Sequence, residues 1–268
     1  MIKLKSPREI ENMRRAGRRL AQGFLAIDEM IKPGIKTREL DEKIEEQLRL
    51  SGGKPAFKGY TGGGKKAFPF TTCISINEEV VHGMPSDRML EEGQIVGIDA
   101  GLQLNGWFSD MACSFIVGSV DEKTRLLWKT TRDALYKGIE QARSGNRLID
   151  IGGAIQDCAE NYGFSVVRDL VGHGIGSNLH EDPAVPNYRS RHGDMKLRAG
   201  MTIAIEPMLC VGDWRIKVLK DGWTAATVDR SFSGHFEHTI LITDGEPEIL
   251  TLLEDGSDPW FKLNSLQE

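Results

Sequence analysis

Two stretches of the sequence repeat one pattern: GQIVGID at residues 93–99 and GMTIAIE at residues 200–206. A glycine opens each stretch, aliphatic residues alternate through it, and an acidic residue closes it. Alternating aliphatic residues are typical of a β-strand. The match therefore predicts one strand that occurs twice in the chain and ends each time on a carboxylate, at Asp99 and at Glu206.

A longer repeat precedes these strands. Four glycine or aliphatic positions recur at one constant spacing: Gly34 with Gly145, Leu40 with Ile151, Ile44 with Ile155, and Gly52 with Gly163. Apolar periodicity and stop signals predict four helices, at 7 to about 31, 37 to about 51, 122 to about 142, and 151 to 162. Short strands are predicted over 73–118 and 164–252, with a loop at 54–72.

This order predicts a duplicated helix–helix–strands unit. We expect one α+β catalytic domain over residues 1–268, with antiparallel strands at its centre and the helices outside. The two halves would cover approximately 7–118 and 122–252 and share one core, because no linker-like stretch separates them.

Acidic residues lie in or at the ends of several apolar, strand-like runs. Acidic residues are depleted in strands, and a carboxylate held out of water is costly unless it is paired or binds a cation. The residues concerned, with one glycine-flanked histidine, are Asp99, Asp110, His173, Glu206 and Glu237. Oxygen ligands with an imidazole suit Mn, Fe, Co or Zn, and four negative ligands suit two such ions better than one.

The turn at Asn105-Gly106 supports this set. Asn-Gly between two apolar runs is a strong hairpin signal, so it predicts that Asp99 and Asp110 lie on adjacent antiparallel strands. The segment GHGIGSNLHEDP at 172–183 adds two histidines, of which His173 fits a metal ligand and His180 an outer donor. Its glycines would allow a close approach to a ligand.

Several common motifs are absent from the sequence. The segment at 172–183 satisfies neither G-x-G-x-x-G nor H-E-x-x-H, and the glycine-rich stretch at 59–65 lacks the Ser or Thr of a phosphate loop. The four cysteines show no C-x-x-C pair and are expected to be reduced thiols. The N-terminus has no apolar segment, and no run is long enough to span a membrane, so we expect no secretory signal, no membrane contact and a cytoplasmic protein.

These segments together resemble the type I methionine aminopeptidases, which have the "pita-bread" metallohydrolase fold, and the resemblance runs essentially end to end. The stretches that carry it are CISINE at 73–78, HGMP at 82–85, ID at 98–99, GHGIG at 172–176, HEDP at 180–183, IEP at 205–207, DGWT at 221–224 and EHT at 237–239.

The resemblance implies a role for each site residue. Asp99 would bind one of two divalent metal ions, His173 and Glu206 the other, and Asp110 and Glu237 both. A hydroxide that bridges the metals would attack the first peptide carbonyl. Catalytic roles would fall to Glu206 as proton shuttle, to His180 as donor to the developing oxyanion, and to His82 near the scissile nitrogen. The enzyme would remove an N-terminal methionine that precedes a small second residue.

A methionine pocket is also implied, with walls that suit a flexible thioether. Its residues would be Tyr60, Phe68, Cys73, Leu179 and Trp223. Departures from the common pattern of the family occur at Gly97, Phe68 and Leu179 and in the loop at 62–66, and they bear on specificity and rate. No zinc-binding extension precedes the catalytic region, which indicates the short form of the type I enzymes.

Two other functions share these ligands. Prolidase and aminopeptidase P have the same fold and the same five-ligand pattern, although they usually carry an extra N-terminal domain. A binding module without activity would be expected to have lost ligands, and all five are present here. The partners would be the N-termini of nascent chains. We expect a monomer with a basic N-terminal helix, which is either a solvated face or a site for docking on ribosomes.

Overall fold

The computed structural model describes residues 2–62 and 66–260. Within that part of the chain the helices are α1 (Pro7–Leu25), α2 (Thr37–Leu50), α3 (Glu122–Gln141) and α4 (Leu148–Asn161). Each helix lies where the sequence predicts one, but α1 ends at Leu25 and not near Ile31. A separate short 3-10 helix, Asp28–Met30, follows α1, and Asp28 and Glu29 lie in its first turn. Negative side chains are unfavourable at a helix C-terminus and favourable at an N-terminus, which accounts for the break.

Most strands belong to one large sheet. Its members are β1 (Lys54–Pro55), β2 (Thr72–Ile76), β4 (Gln94–Leu104), β5 (Trp107–Val117), β7 (Gly172–Gly174), β8 (Glu181–Val185), β9 (Thr202–Ile205), β14 (Glu237–Leu241) and β15 (Glu248–Ile249). Small sheets in the described residues are formed by β6 (Ser165–Val166), β10 (Met208–Cys210) and β13 (Ser233–His235), and by β3 (Glu79–Val81), β11 (Ile216–Val218) and β12 (Ala225–Thr227).

The large sheet joins the two halves of the chain. Its strands follow the order β1-β4-β5-β14-β9-β7-β8, with β2 beside β4 and β15 beside β14, and every pair among them is antiparallel. The halves meet where β14 pairs with β5, at Glu237 opposite Ala112 and His238 opposite Met111. A central antiparallel sheet shared by both halves confirms the predicted fold class.

The Asn105-Gly106 hairpin forms as predicted. Both turn residues have positive φ angles, 52° and 82°, as a two-residue type I′ turn requires. The strands it joins, β4 and β5, are 11 residues each and pair along their whole length. They are longer than the short strands that the sequence indicated, because polar and glycine positions within them remain paired while the residues around those positions are buried.

The internal repeat is visible in the backbone. Helices α2 and α4 have 14 residues each and begin at positions related by the sequence spacing. Each has an acid in its first turn that accepts a hydrogen bond from the residue before the helix: Glu39 from the Lys36 N–H at 3.0 Å, and Asp150 from the Arg147 N–H at 2.8 Å. Isolated bridges repeat as well, Lys36 with Met89 and Arg147 with Lys196.

The helices cover the sheets with their apolar faces. Residues that are fully buried, such as Leu20 and Phe24 of α1 and Leu135 of α3, belong to one core cluster with Phe115 of β5 and Ile203 of β9. No helix in the described residues combines the length and apolar character needed to cross a membrane. The large sheet therefore contains strands from both halves and is covered by the helices.

Candidate metal and peptide site

Five neighbouring strands of the large sheet each present one of the predicted ligands. Asp99 is on β4, Asp110 on β5 and Glu237 on β14, while Glu206 directly follows β9 and His173 is the middle residue of β7. These strands are consecutive in the sheet, in the order β4-β5-β14-β9-β7. The pairing of β5 with β14 therefore brings together ligands that are far apart in the sequence.

The register places the ligands on one face. Asp99 and Glu237 both lie opposite Ala112, one from each side of β5. Asp110 is two residues from Ala112 along β5, and alternate residues of a strand point to the same face. Cys73 lies opposite Asp99 on β2, so it borders the same face.

The ligand atoms are close enough to share ions. One oxygen or nitrogen from each of Asp110, His173 and Glu237 lies within 4.8 Å of the others. Nε2 of His173 is 3.9 Å from Oδ2 of Asp110 and 3.6 Å from Oε1 of Glu206. Nδ1 of His173 lies 2.9 Å from the Gly174 carbonyl oxygen, which fits a tautomer that donates there and leaves the Nε2 lone pair free for a cation.

The carboxylates strongly disfavour their own ionisation without a counter-charge. Burial raises the pKa of Asp99, Glu206 and Glu237 well above the usual range, and repulsion from Asp110 adds to each shift. Burial also raises the pKa of Asp110 to about 7. Burial, with His180 nearby, lowers the pKa of His173 to about 3. A bound cation would stabilise the ionised form of these crowded, buried carboxyl groups and would accept the lone pair of the neutral imidazole.

His180 and His82 lie on the same cavity as the ligands. His180 sits near the mouth, where its ring centre is 4.2 Å from that of His173 and 5.1 Å from that of Tyr60, and desolvation lowers its pKa. His82 has a φ of 61°, an uncommon conformation outside glycine, and its carbonyl accepts a hydrogen bond from Oγ1 of Thr224. Both predicted catalytic histidines are thus brought to the ligand cluster.

The three alternating glycines are required by close packing within the chain. A Cβ on Gly172 would lie 2.3 Å from the Ala204 oxygen, and one on Gly174 would lie 2.1 Å from the Asp182 oxygen. On Gly176 it would meet Cε of Lys5 at 2.5 Å. The glycines therefore let β7 and the turn after it pack against neighbouring parts of the chain, which fixes His173.

An apolar pocket opens beside the ligands, in a cavity of about 210 Å³. Every pocket residue that the sequence predicted lines it: Tyr60, Phe68, Cys73, Leu179 and Trp223. Phe68 packs edge-on against Trp223, with ring centres 5.2 Å apart. Drug-sized ligands usually need roughly 300–1,000 Å³, so this space suits a single side chain. Residues 63–65, part of the unusual loop at 62–66, lie outside the described residues, and Gly62 is on the cavity wall.

Two residues of this region were not predicted from the sequence. Phe57 lines the cavity from the loop after β1, and its only sequence signal was an aromatic residue near Tyr60. His235 is buried, with Nε2 at 3.7 Å from Oε2 of Glu206. Burial, with His82 nearby, lowers its pKa to about 3. Its position two residues before Glu237, on the same side of an extended chain, could have indicated it.

A sequence profile of metallopeptidase family M24 matches residues 11–244, and the chain belongs to that family. Curated proteins that it matches along most of its length are methionine aminopeptidases. The chain is 47% identical over 254 residues to "Methionine aminopeptidase" of Clostridium perfringens, covering 95% of this chain and 100% of the relative. It is 45% identical over 251 residues to "Methionine aminopeptidase 1" of Bacillus subtilis, covering 94% and 99%.

Solved structures give the same grouping. The methionine aminopeptidase of Thermotoga maritima has a TM-score of 0.89 at 47% identity, covering 94% of this chain and 99% of that one. The prolidase of Pyrococcus furiosus has a TM-score of 0.74 at 27% identity, covering 94% of this chain and 66% of that one. The pita-bread fold is common to both, and the chain matches the aminopeptidase over its full length.

Proposed function

We propose that this protein is a dinuclear metallo-aminopeptidase that removes the N-terminal methionine from peptides and nascent proteins with a small second residue. The observation that carries the proposal is the row of Asp99, Asp110, Glu237, Glu206 and His173 on five adjacent strands, beside an apolar cavity. The identity of the chain to methionine aminopeptidases over more than nine-tenths of its length supports it.

The residues present fit a pair of divalent ions. Oδ1 of Asp99 and Oε1 of Glu237 are buried and have no hydrogen-bond partner in the described part of the chain. Buried charges of this kind are stable when they coordinate metals. Asp99 would hold one ion, His173 and Glu206 the other, and Asp110 and Glu237 both. When bound, Mn, Co, Fe or Zn supplies Lewis acidity and a water of lowered pKa.

The protein side chains divide the remaining work. Glu206 would accept the proton of the attacking water, and its position on the cavity beside His173 supports that role. His180, at the cavity mouth, donates to the oxygen that becomes negative at the first peptide carbonyl. His82 lines the same cavity and would assist departure of the scissile nitrogen as an amine.

The cavity determines what is cleaved. Its apolar wall binds the methionine side chain, while the acidic cluster attracts the free α-amine, so one residue is removed at a time. The wall includes a cysteine and several aromatic rings, which make favourable contacts with thioether sulfur. A small second residue is preferred because the backbone beyond the scissile bond must pass Tyr60 and His180, which line the cavity with their ring centres 5.1 Å apart.

Metal removal and a pair of substrates test the proposal. Chelation should abolish cleavage of Met-Ala-Ser, and added Mn or Co should restore it. The Asp99→Asn variant should stay inactive with metal, whereas the exposed Asp244→Asn control should behave as the wild type. Full activity in metal-stripped protein would refute the metal mechanism, and faster cleavage of Ala-Pro peptides would indicate a proline-directed enzyme.

The His180→Ala variant tests the division of roles. It should bind metal as the wild type does and lose about 10²–10³-fold in kcat, the usual cost of removing an oxyanion donor. Metal content and kcat are measured on the same preparation. Loss of metal binding in this variant would make His180 a ligand and contradict its proposed role.

The proposal also includes a cytoplasmic location and docking on ribosomes. The described cysteines are free thiols, which suits a cytoplasmic enzyme that acts on nascent chains. Several basic residues of the N-terminal segment are already engaged: Lys5 pairs with Glu181, Arg14 with Glu248, and Arg15 with Glu11. Docking on ribosomes would therefore rest mainly on exposed Lys3, Arg8 and Arg19.

Sedimentation measures this docking and the oligomeric state. Co-sedimentation with ribosomes should be seen at low salt and should decrease in the Arg8→Glu/Arg19→Glu variant. Unchanged sedimentation at low salt would contradict docking. Analytical ultracentrifugation of the protein alone should give the mass of a monomer, and a stable dimer would overturn that part of the proposal.

A further inference from the structure

His235 is a buried side chain that the five-ligand site does not use. It is the last residue of β13, two positions before Glu237, and its side chain is 3% exposed. Nε2 is fully buried and has no hydrogen-bond partner among the residues that the structure describes. Leaving such a group without a partner is unfavourable, so its partner in the complete site is expected to lie nearby.

Glu206 is the nearest acidic group to it. The Glu206 carboxylate lies between two imidazoles, with Oε1 at 3.6 Å from Nε2 of His173 and Oε2 at 3.7 Å from Nε2 of His235. If Oε1 of Glu206 binds the same ion as His173, Oε2 of Glu206 faces His235. Carboxylates that bind metals are themselves usually held by a hydrogen bond from a residue behind them.

The backbone of His235 is held firmly. Oγ of Ser114 accepts a hydrogen bond from the His235 N–H and donates one to the His235 carbonyl, each at 2.9 Å. On the neighbouring strand, a Cβ on Gly97 would lie 3.9 Å from Cβ of His235 and 3.7 Å from Oγ of Ser114. A long side chain at position 97 would press on both, so the glycine leaves room for the imidazole.

We propose that His235 is a positioning residue of the metal centre: its Nε2–H donates to Oε2 of Glu206 and directs Oε1 toward the ion shared with His173. This rests on the proposed metal site. A hydrogen bond would need Nε2 and Oε2 to approach by about 0.5–1 Å, which small side-chain rotations provide. The bond would be charge-assisted and therefore stronger than one between neutral groups.

A direct ligand role for His235 is the alternative. One ligand atom from each of Glu206, His235 and Glu237 lies within 4.8 Å of the others, which is close enough for a cation. However, Asp99, Asp110, Glu206 and Glu237 supply four negative charges, which two divalent ions already balance. A third ion would leave two uncompensated positive charges in a buried site. The charge balance therefore argues against a third ion at His235, and the number of coordinated imidazoles distinguishes a hydrogen bond to Glu206 from coordination of one of the two ions.

Two substitutions separate the hypotheses. In His235→Leu the donor is lost, whereas His235→Gln keeps an amide N–H that reaches the same carboxylate. His192→Leu, at an exposed loop position, is the matched control. For each variant, Mn affinity is measured by competition with a chelator, the number of bound ions by metal analysis, and the number of coordinated imidazoles by pulsed EPR.

The expected result is a loss of about 10–100-fold in Mn affinity for His235→Leu, with the ion number and the imidazole number unchanged. His235→Gln should recover most of the affinity, and His192→Leu should match the wild type. An affinity within twofold of wild type for His235→Leu would overturn the proposal. So would a lower imidazole number in His235→Gln, which would make His235 a ligand. Failure of the wild type to bind two ions would instead refute the metal site itself.

Discussion

At the scale of single residues, the site depends on a few side chains held out of water. Asp110 and Glu237 are almost completely buried. Their ionised carboxylates are stable there only when a cation compensates the charge. The acidic residues could be found from the sequence because an acid in an apolar strand is conspicuous. Phe57 could not, because an aromatic residue in an apolar run is ordinary and its role depends on what it contacts. For His235 the spacing of two residues from Glu237 was the only signal in the sequence.

Leu179 gives a test at this scale. It is buried in the methionine pocket, and Leu179→Ala should widen that pocket and weaken contact with the thioether. We expect kcat/KM for Met-Ala-Ser to fall by about 10-fold or more, as expected for about 1–3 kcal/mol of lost apolar contact. The matched control is Leu50→Ala, since Leu50 is 74% exposed and does not line the pocket. Equal loss in both variants would contradict the assigned pocket.

At the scale of elements, short-range signals predicted the helices and the main hairpin well. Helix stops at Gly52 and Gly163 and the Asn105-Gly106 turn depend on residues close in sequence, so their positions could be derived. The predicted end of α1 was wrong. The prediction relied on the nearest helix breakers, Pro33 and Gly34, but the charges of Asp28 and Glu29 end the helix before them. Strand lengths were underestimated, since pairing partners decide them.

The turn that carries His180 is fixed by a contact that crosses the molecule. Nζ of Lys5, just before α1, lies 2.8 Å from Oε2 of Glu181, and both side chains are largely buried. Ser177 Oγ and the Asn178 N–H donate to the other oxygen. Burial acts to raise the pKa of Glu181, but hydrogen bonds from Lys5, Asn178 and Ser177 hold it below its usual value.

Lys5→Met should therefore loosen the turn without touching the metal ligands. We expect kcat to fall by about 10-fold while metal content stays at the wild-type level, because a misplaced donor loses transition-state contact. Stability should also decrease, since an unpaired buried carboxylate remains. Lys3→Met, at an exposed position two residues earlier, is the control. An unchanged kcat in Lys5→Met would show that the pair does not position His180.

At the scale of the whole molecule, the two halves form one sheet and one core. The repeat was predicted from spacing, and the structure repeats it in helix bounds and in glycine conformation: Gly34 and Gly145 have φ angles of 93° and 96°, and Gly93 and Gly200 have 88° and 87°. The bounds of the single domain remain a prediction. A single cooperative unfolding transition by two spectroscopic probes would agree with it.

The end of the described chain is tied to the centre of the sheet by a buried network. Asp258 accepts hydrogen bonds from Tyr136 of α3 and from the Trp260 N–H, and its Oδ2 lies 3.1 Å from Nε2 of His238. Burial raises the pKa of Asp258 to about 8 and lowers that of His238 to about 3. Near neutral pH the pair is therefore uncharged, with the carboxyl group donating to the imidazole.

This network predicts a pH dependence of stability. The folded state keeps the Asp258 proton up to about pH 8, whereas the unfolded chain loses it near its ordinary value of 3.8. The contribution of the protonated Asp258 to the free energy of unfolding is therefore fully present below about pH 4 and is lost as the pH rises to 8. The loss is at most about 1.4 kcal/mol per pH unit. Asp258→Asn removes the titration and should flatten the urea-unfolding free energy between pH 5 and 8.

The difference between wild type and Asp258→Asn is measured with the same chelator present at every pH, so that titration of the other groups cancels. Asp244→Asn, an exposed position, should keep the wild-type pH slope. A constant difference between wild type and Asp258→Asn across that range would contradict the raised pKa. Such a result would mean that Asp258 is ionised in the folded protein.

The sequence by itself determined the helices, the Asn105-Gly106 hairpin, the duplicated strand and the candidate ligands, because each follows from residues close in the chain or from a charge where none is expected. The tertiary structure alone decided that β5 pairs with β14, that five strands present their ligands to one cavity, and that His235 faces Glu206. Pairings between distant segments depend on the packing of the whole core, and no local pattern of residues specifies them.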